Sequence, residues 1–297
     1  MSIAGVMSSG GRAVGLVRSA RVMRSVTGRA GVALGCTVLL IGLLGPFFAP
    51  HSPAALLGAP FSPPSARFPL GTDVLGRDVL SRVLCGGRTV IALAGSATVL
   101  GYVGGLAMGL VAGYNQRLAG TLLMRVADVL LAFPPVLFLL VLATGAGPSP
   151  EALVIGVAIT HVPSIARIVR AATLDVARRG YVEAAVARGE RALYILRREI
   201  APNVLHAILA DVGVRITWSI LLVAAVNFLG LGLQPPQADW ALMIAENRSG
   251  LAIQPWSVVV PGLLIAALTV ACNLIGDATA ESLGVSAELE RAGGIEA

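Results

Sequence analysis

Lysine is missing from this chain: all 22 of its basic residues are arginine. A phosphate-binding loop of the Walker type needs a lysine on the terminal phosphates, so the polypeptide carries no such loop and should hydrolyse no ATP alone. Charge of either sign is scarce, at 13% of 297 residues against about 25% in soluble domains. No acid occurs before Asp73. Cysteine is limited to Cys36, Cys85 and Cys272, an odd number set far apart, which excludes a disulfide framework and zinc spacing. His51, His161 and His206 form no ligand cluster with them, so no metal is expected. The net charge of +6 does not indicate nucleic acid, because the arginines flank apolar blocks rather than forming a basic face.

Hydrophobic residues make up 56% of the chain and come in long uncharged runs. Such runs satisfy their backbone groups internally, as hydrocarbon demands, so an all-α membrane protein is predicted. Six crossings are expected, at residues 31–49, 89–114, 129–146, 152–168, 204–231 and 256–275. Arg12, Arg18, Arg21, Arg24 and Arg29 precede the first run, which is too long for a signal-peptide core and reads as an uncleaved helix. The Pro-rich segment 50–72 denies a helix until about Asp73, where a short amphipathic helix is expected. Met124–Asp128 read as a polar break before the third crossing, and Trp240 and Trp256 as interfacial aromatics. With both termini in the cytoplasm, sixteen arginines fall inside and five outside, as the positive-inside rule requires. The chain then divides into a basic N-terminal arm (1–30), a first helix (31–49), an external loop (50–88), a core (89–276) with a cytoplasmic loop (171–203), and a tail (277–297).

That cytoplasmic loop contains YVEAAVARGERALYILRREIAPN, Tyr181 to Asn203. Tyr181–Ala187 favours a helix, Gly189 suits a corner because glycine takes positive φ without strain, and Arg191–Ile200 resumes the helix. Pro202 suits the start of the fifth crossing. Small alanines around the single acid Glu183 make either a compact knob for a groove on another protein or a solvated loop lying on the membrane surface.

The pattern Glu183, Ala184, Ala185, Gly189, Ile200, Pro202 resembles the "EAA loop" of permease subunits of bacterial ABC importers; Ala201 departs from the usual leucine. FPLGTDVLGRDVLSR, MRVADVLLAFPP, NFLGLGLQPPQADWALMIAENR and NLIGDATAESL resemble, in order and spacing, the peptide and nickel importer group, specifically its second (C-type) permease of dipeptide importers. The resemblance implies the type I importer transmembrane fold, a bacterial inner-membrane location, and a non-catalytic role. Implied partners are a second homologous permease, one or two cytoplasmic ATPase subunits holding ATP and Mg, an external binding protein, and a peptide cargo. Glutathione-like peptides and nickel chelates are alternative cargoes. Cofactors within this chain are not expected, and membrane lipids surround it.

Further candidates come from the residues alone. Gly101, Gly105, Gly109 and Gly113, with Gly104 beside them, lie on one helix face, for packing within the chain or against a partner helix. Asp211 and Arg215, one turn apart, read as a self-neutralising pair or as pathway groups, with Asn227 and Asn273 weaker candidates. Gly71, Asp73, Gly76, Arg77 and Asp78 of the external signature segment are expected to fix loop structure or to dock the binding protein. Two other classes compete. An ion-gradient-driven carrier leaves the EAA loop unexplained. An intramembrane hydrolase would need Ser96 beside His161 or His206.

Overall fold

The computed structural model describes residues 25–115, 118–209 and 211–293, without the side chains of 206, 207, 209, 280 and 282–293. The basic arm up to Arg24, and Arg117, lie outside the described residues. Helices and turns make up the structure; among the described residues there are only two isolated β-bridges and no strand.

Helix α1 (Val26–Leu44) starts where the Ser25 hydroxyl accepts from Gly28 N at 2.9 Å, and a 3-10 turn, Gly45–Phe48, ends it at Pro46. Its buried positions are glycines except for Val38. That bare face lets α1 lie directly on the last helix and on α2 (Val79–Tyr114), whose Gly87 backbone faces Gly42. The expected break between a short amphipathic helix and a crossing at 89 is not there. Asp78 caps one continuous 36-residue helix, because nothing between Val79 and Tyr114 interrupts the ladder. At 1.5 Å per residue α2 is about 54 Å long, well over a hydrocarbon core of about 30 Å.

The third expected crossing is also revised. Met124–Asp128 lie inside α3 (Leu118–Ala132), and the break falls at Phe133–Pro134, where α4 (Pro135–Ala146) turns away by 89°. Prolines at 134 and 135 remove two backbone donors and push the preceding residues out of the helical region. Helix α5 (Pro150–Ala177) runs nine residues beyond the expected end at 168, carrying Arg167 and Arg170 as helical residues. It leads to α6 (Gly180–Ala187), α7 (Ala192–Ile195) and a π-helical turn, Leu196–Ile200. The fifth expected crossing is split into α8 (Ala201–Leu209) and α9 (Val212–Phe228). A short α10 (Trp240–Asn247), unforeseen, precedes α11 (Trp256–Gly293), which continues through most of the expected tail. Four helices are long and apolar enough to cross a membrane, α3–α4 makes a fifth if one bent span, and α9 is a shorter apolar helix.

The central seam is α2 against α5. A Cβ on Gly105 would meet Ile165 Cγ2 at 2.5 Å; on Gly109, Val169 Cβ at 2.5 Å; on Gly113, Thr173 Cβ at 2.6 Å. Gly101 meets His161 in the same way, so spacing of four on one helix meets spacing of four on the other. The glycine face is therefore filled within the chain, and Gly104 lies against Val162 beside it. Trp240 is not interfacial. It is fully buried, its Nε1 donating to Val83 O at 2.8 Å and its ring lying over Gly87. Trp256, in contrast, is 45% exposed.

Candidate coupling loop, intramembrane polar cluster and cap

Helix α6 ends in a Schellman arrangement. Gly189 N donates to Val186 O at 2.9 Å and Glu190 N to Ala185 O at 3.2 Å, with Gly189 at φ +77°. Nothing stands within 4 Å of a Cβ placed on Gly189, so its left-handed backbone rather than lack of room calls for glycine. The corner thus forms as the sequence suggests. Val182, Ala185, Ile195, Ile200 and Val204 turn inward against Ile165, Val169 and Val176 of α5, and Leu106, Leu110 and Tyr114 of α2 pack beside them. Glu183, Ala184, Ala187 and Pro202 face outward, joined by exposed Tyr181, Val186, Leu193 and Tyr194. The loop is a firmly seated knob whose outer face sets exposed alanines and Glu183 beside the exposed Arg188, Arg191, Arg197 and Arg198. The π turn, whose Ala201 N donates to Leu196 O, was not legible in the sequence.

Asp211 and Arg215 do pair: Arg215 Nε donates to Asp211 Oδ2 at 2.8 Å, and Tyr102 OH donates to the same oxygen at 3.0 Å. The Asp211 and Arg215 side chains are only 16% and 15% exposed, which fits the self-neutralising reading. Toward mid-bundle, Ser219 Oγ lies 2.7 Å from Thr98 Oγ1 and 2.8 Å from His161 Nε2, tying α2, α5 and α9 together. Thr217 donates to Asn273 at 3.2 Å. Sequence reasoning did not single out Thr98, Tyr102 or Ser219, since each looks unremarkable until three helices converge. Asn227 is fully buried; its Oδ1 accepts from Leu233 N at 2.9 Å and shapes the turn after α9. Ser96 bonds back to Ala92 O at 2.6 Å on its own helix, while His161 Nε2 is engaged with Ser219, so the Ser96–His161 pairing is not formed; the His206 side chain lies outside the described residues. No group of three metal-ligating side chains occurs among the described residues.

At the other end of α2 a cap joins residues 50–78 to 229–255. Gly71 and Gly76 have φ of +73° and +76°, and a Cβ on Gly76 would lie 2.0 Å from Gly58 O. Asp73 Oδ2 accepts from Arg77 Nε at 2.6 Å and Arg82 Nη1 at 3.2 Å. Glu246 Oε2 accepts from Arg77 Nη2 at 2.8 Å and Arg82 Nη2 at 2.7 Å. Both guanidinium groups are buried, so two arginines and two acids form a closed, neutral square across the loop, α2 and α10. Asp78 caps α2 and also takes Ser81 Oγ at 2.6 Å and His51 Nδ1 at 3.1 Å. Asp73, Arg77 and Asp78 therefore fix structure. Arg82 and Glu246, distant in sequence from one another, complete what the sequence alone left open.

Asp239 caps α10 through Oδ1, which accepts from Ala241 N at 3.0 Å and Leu242 N at 3.1 Å. Burial pushes its carboxyl up to about 6, against the pull of the Leu242 N–H, the Asn227 side chain and the Ala241 N–H. Among the described residues, however, Asn227 Nδ2 and Asp239 Oδ2 have no hydrogen-bond partner. The carboxyl is thus protonated in the folded chain at pH values where an unfolded aspartate is ionised. Its contribution to stability is full below 3.8 and is lost as pH rises through about 6. Melting at pH 5 and pH 7.5 should show the wild type losing about 1.4 kcal/mol across that interval, part of the effect being already lost at pH 5. Asp239→Asn, which keeps the capping oxygen, should flatten the difference; an unchanged pH slope in that variant would discount the assignment.

Comparison with known proteins fits this architecture. Residues 105–284 match the family model described as "Binding-protein-dependent transport system inner membrane component". The chain is 34% identical over 260 residues to the di/tripeptide transport system permease protein DppC of Pseudomonas aeruginosa, covering 85% of this chain and 86% of that one. It is 38% identical over 220 residues to the glutathione transport system permease protein GsiD of Pectobacterium atrosepticum, covering 74% and 73%. The dipeptide permease DppC of Haemophilus influenzae is 32% identical over 253 residues, covering 83% and 86%. In fold, a chain of the MetNI methionine ABC transporter in an inward-facing conformation aligns with TM-score 0.50 at 18% identity, covering 68% of this chain and 96% of that one. Sequence, helical architecture and matched span agree: the chain is a non-catalytic inner-membrane permease that belongs to the binding-protein-dependent transport system inner membrane component family.

Proposed function

We propose that this chain forms half of the translocation pathway of an ATP-driven importer of di- and oligopeptides, paired with a second homologous permease. The seated knob at the cytoplasmic end of α5 is the observation that carries the reading. Its inner face is packed into the bundle, while Glu183, Ala184 and the neighbouring apolar side chains are left for a partner. In this reading α6 and α7 dock into a groove on an ATPase subunit, with Glu183 supplying polar contact and Gly189 the bend. Ala185 and Ile200 anchor the knob from within, and Pro202 starts the helix that leads back into the bundle. ATP and Mg are held by the partner subunits. Their closure moves the knob, and α8–α9 and α5 follow because they share its core, a lever on a two-state element. Counting α8–α9 as one crossing gives six, places both termini in the cytoplasm, and puts the cap outside, where a binding protein delivers cargo. Peptide cargo is favoured by the peptide permeases among the relatives; glutathione belongs to the same chemical class.

Uptake of a labelled dipeptide by the assembled transporter tests this, with free glutathione as competitor. Glu183→Lys places a like charge against whatever receives the carboxylate. Uptake should fall at least about tenfold, the equivalent of 1.4 kcal/mol at the docking contact, with insertion and pairing unchanged. Full uptake with normal ATPase association would refute the coupling role.

A further inference from the structure

Helices α9, α10 and α11 leave an open groove of about 300 Å³ between them. Leu221, Ala225 and Phe228 form one wall, Gly262 and Ile265 the other, and Ile244 lies between. Small residues create the space: a Cβ placed on Gly262 would meet only Ile244 Cδ1, at 3.8 Å. Every lining side chain is apolar, so the groove offers nothing to the N–H and C=O groups of a peptide.

The depth of the groove is that of one leaflet. Leu221 to Phe228 covers the last two turns of α9, about 10 Å along the axis. On α11, Gly262 stands about 9 Å beyond Trp256, whose half-exposed ring begins the helix at the level of an interface. The groove therefore runs from the membrane surface into a leaflet whose hydrocarbon is about 15 Å deep. Spread over about 10 Å, its volume corresponds to a cross-section of about 30 Å², room for a hydrocarbon chain. A helix about 10–12 Å in diameter has roughly three times that section and would lie over the groove, not in it.

One cation stands at the mouth. Arg248 is exposed, forms no ion pair among the described residues, and lies over the Phe228 ring at 6.0 Å from its centroid. The acids nearest to it in sequence are taken: Asp239 is buried and Glu246 is bonded to Arg77 and Arg82. Stacking on Phe228 restricts the rotamers of a long side chain, so less freedom is lost when it binds an anion. An occupant that suits both parts is apolar along its length and anionic at one end.

We propose that this groove is a phospholipid-binding site, in which one acyl chain lies over Gly262 between α9 and α11 and the phosphodiester accepts from Arg248. The planar guanidinium matches phosphate oxygens, and the chain supplies the packing partners that Ala225 and Gly262 lack. The importer topology adds only that the leaflet is the outer one; the site stands without it.

The test uses the whole transporter, purified in detergent, stripped of lipid and titrated with phosphatidylglycerol that carries a diazirine on one acyl chain. Photolysis should label the segments around Ile244 and Gly262 and saturate at a single lipid per copy of this chain. Gly262→Leu fills the groove and should cut that labelling at least about tenfold, with assembly unchanged. Arg248→Gln, a surface change outside the packed core, should weaken phosphatidylglycerol about tenfold. Diacylglycerol with the same diazirine should bind wild type and Arg248→Gln equally, since it has no phosphate. Labelling that does not saturate, or that is equal in wild type and both variants, would mark bulk lipid and overturn the proposal. Capture of the second permease, in place of lipid, by a photo-crosslinking residue at Ile265 would overturn it as well.

Discussion

Glu246→Ala is expected to cost about 3–5 kcal/mol and to loosen the cap as a unit. The substitution leaves Arg77 and Arg82, both buried, facing Asp73 alone. Their four bonds to carboxylates fall to two, and a net positive charge stays in a site that water does not reach. The cost comes mainly from that uncompensated charge, since a buried pair contributes little net stability while it is intact. A second variant separates the two effects. Arg77→Met together with Glu246→Met removes one charge of each sign and should be less damaging than Glu246→Ala alone, a coupling that a double-mutant cycle reads directly. Thermal unfolding of the transporter in nanodiscs is the measurement. A melting temperature for Glu246→Ala equal to wild type would show that the square carries no stability.

Gly109→Leu should cost about 3 kcal/mol or more and part the α2–α5 seam. The first added carbon would lie 2.5 Å from Val169 Cβ and 2.7 Å from Ala166 O. Neither can move away, because one is fixed to the backbone and the other belongs to it. The helices must separate, and the seam loses dispersion contacts along its length. Helix α5 also carries the knob, so transport should fall together with stability. Gly95→Leu on the same helix is the control: nothing lies within 4 Å of its Cβ. That change should be neutral or stabilising by up to about 1 kcal/mol, since leucine is the better helix former. Equal losses from both variants would mean that generic leucine insertion, and not the close approach, is responsible.

Several features are legible in the sequence alone. The apolar blocks announced membrane helices, and spacing of four announced a flat face on α2. The corner at Gly189 and the Asp211–Arg215 pair followed from local rules, because turn geometry and i,i+4 proximity depend on neighbours in sequence. Polar Met124–Asp128 suggest a break in the third crossing, but backbone chemistry at Pro134–Pro135 decides it. Aromatics between apolar runs are commonly interfacial, the place the sequence suggests for Trp240, but Gly86 and Gly87, more than 150 positions earlier, open a slot that takes its ring.

By itself the sequence determined the membrane class, the absence of a phosphate loop, the glycine face and the EAA-like knob, since these depend on composition and on residues close along the chain. Only the tertiary structure decided what those features meet. The glycines of α2 face α5 of the same chain, and Ser219 joins Thr98 to His161 across three helices. Glu246 closes a square with arginines 164 and 169 positions away. The physical reason is common to all of them. A buried charge, hydroxyl or bare backbone is stable only with a partner, and local periodicity fixes the direction in which a side chain points but not which distant residue will be there.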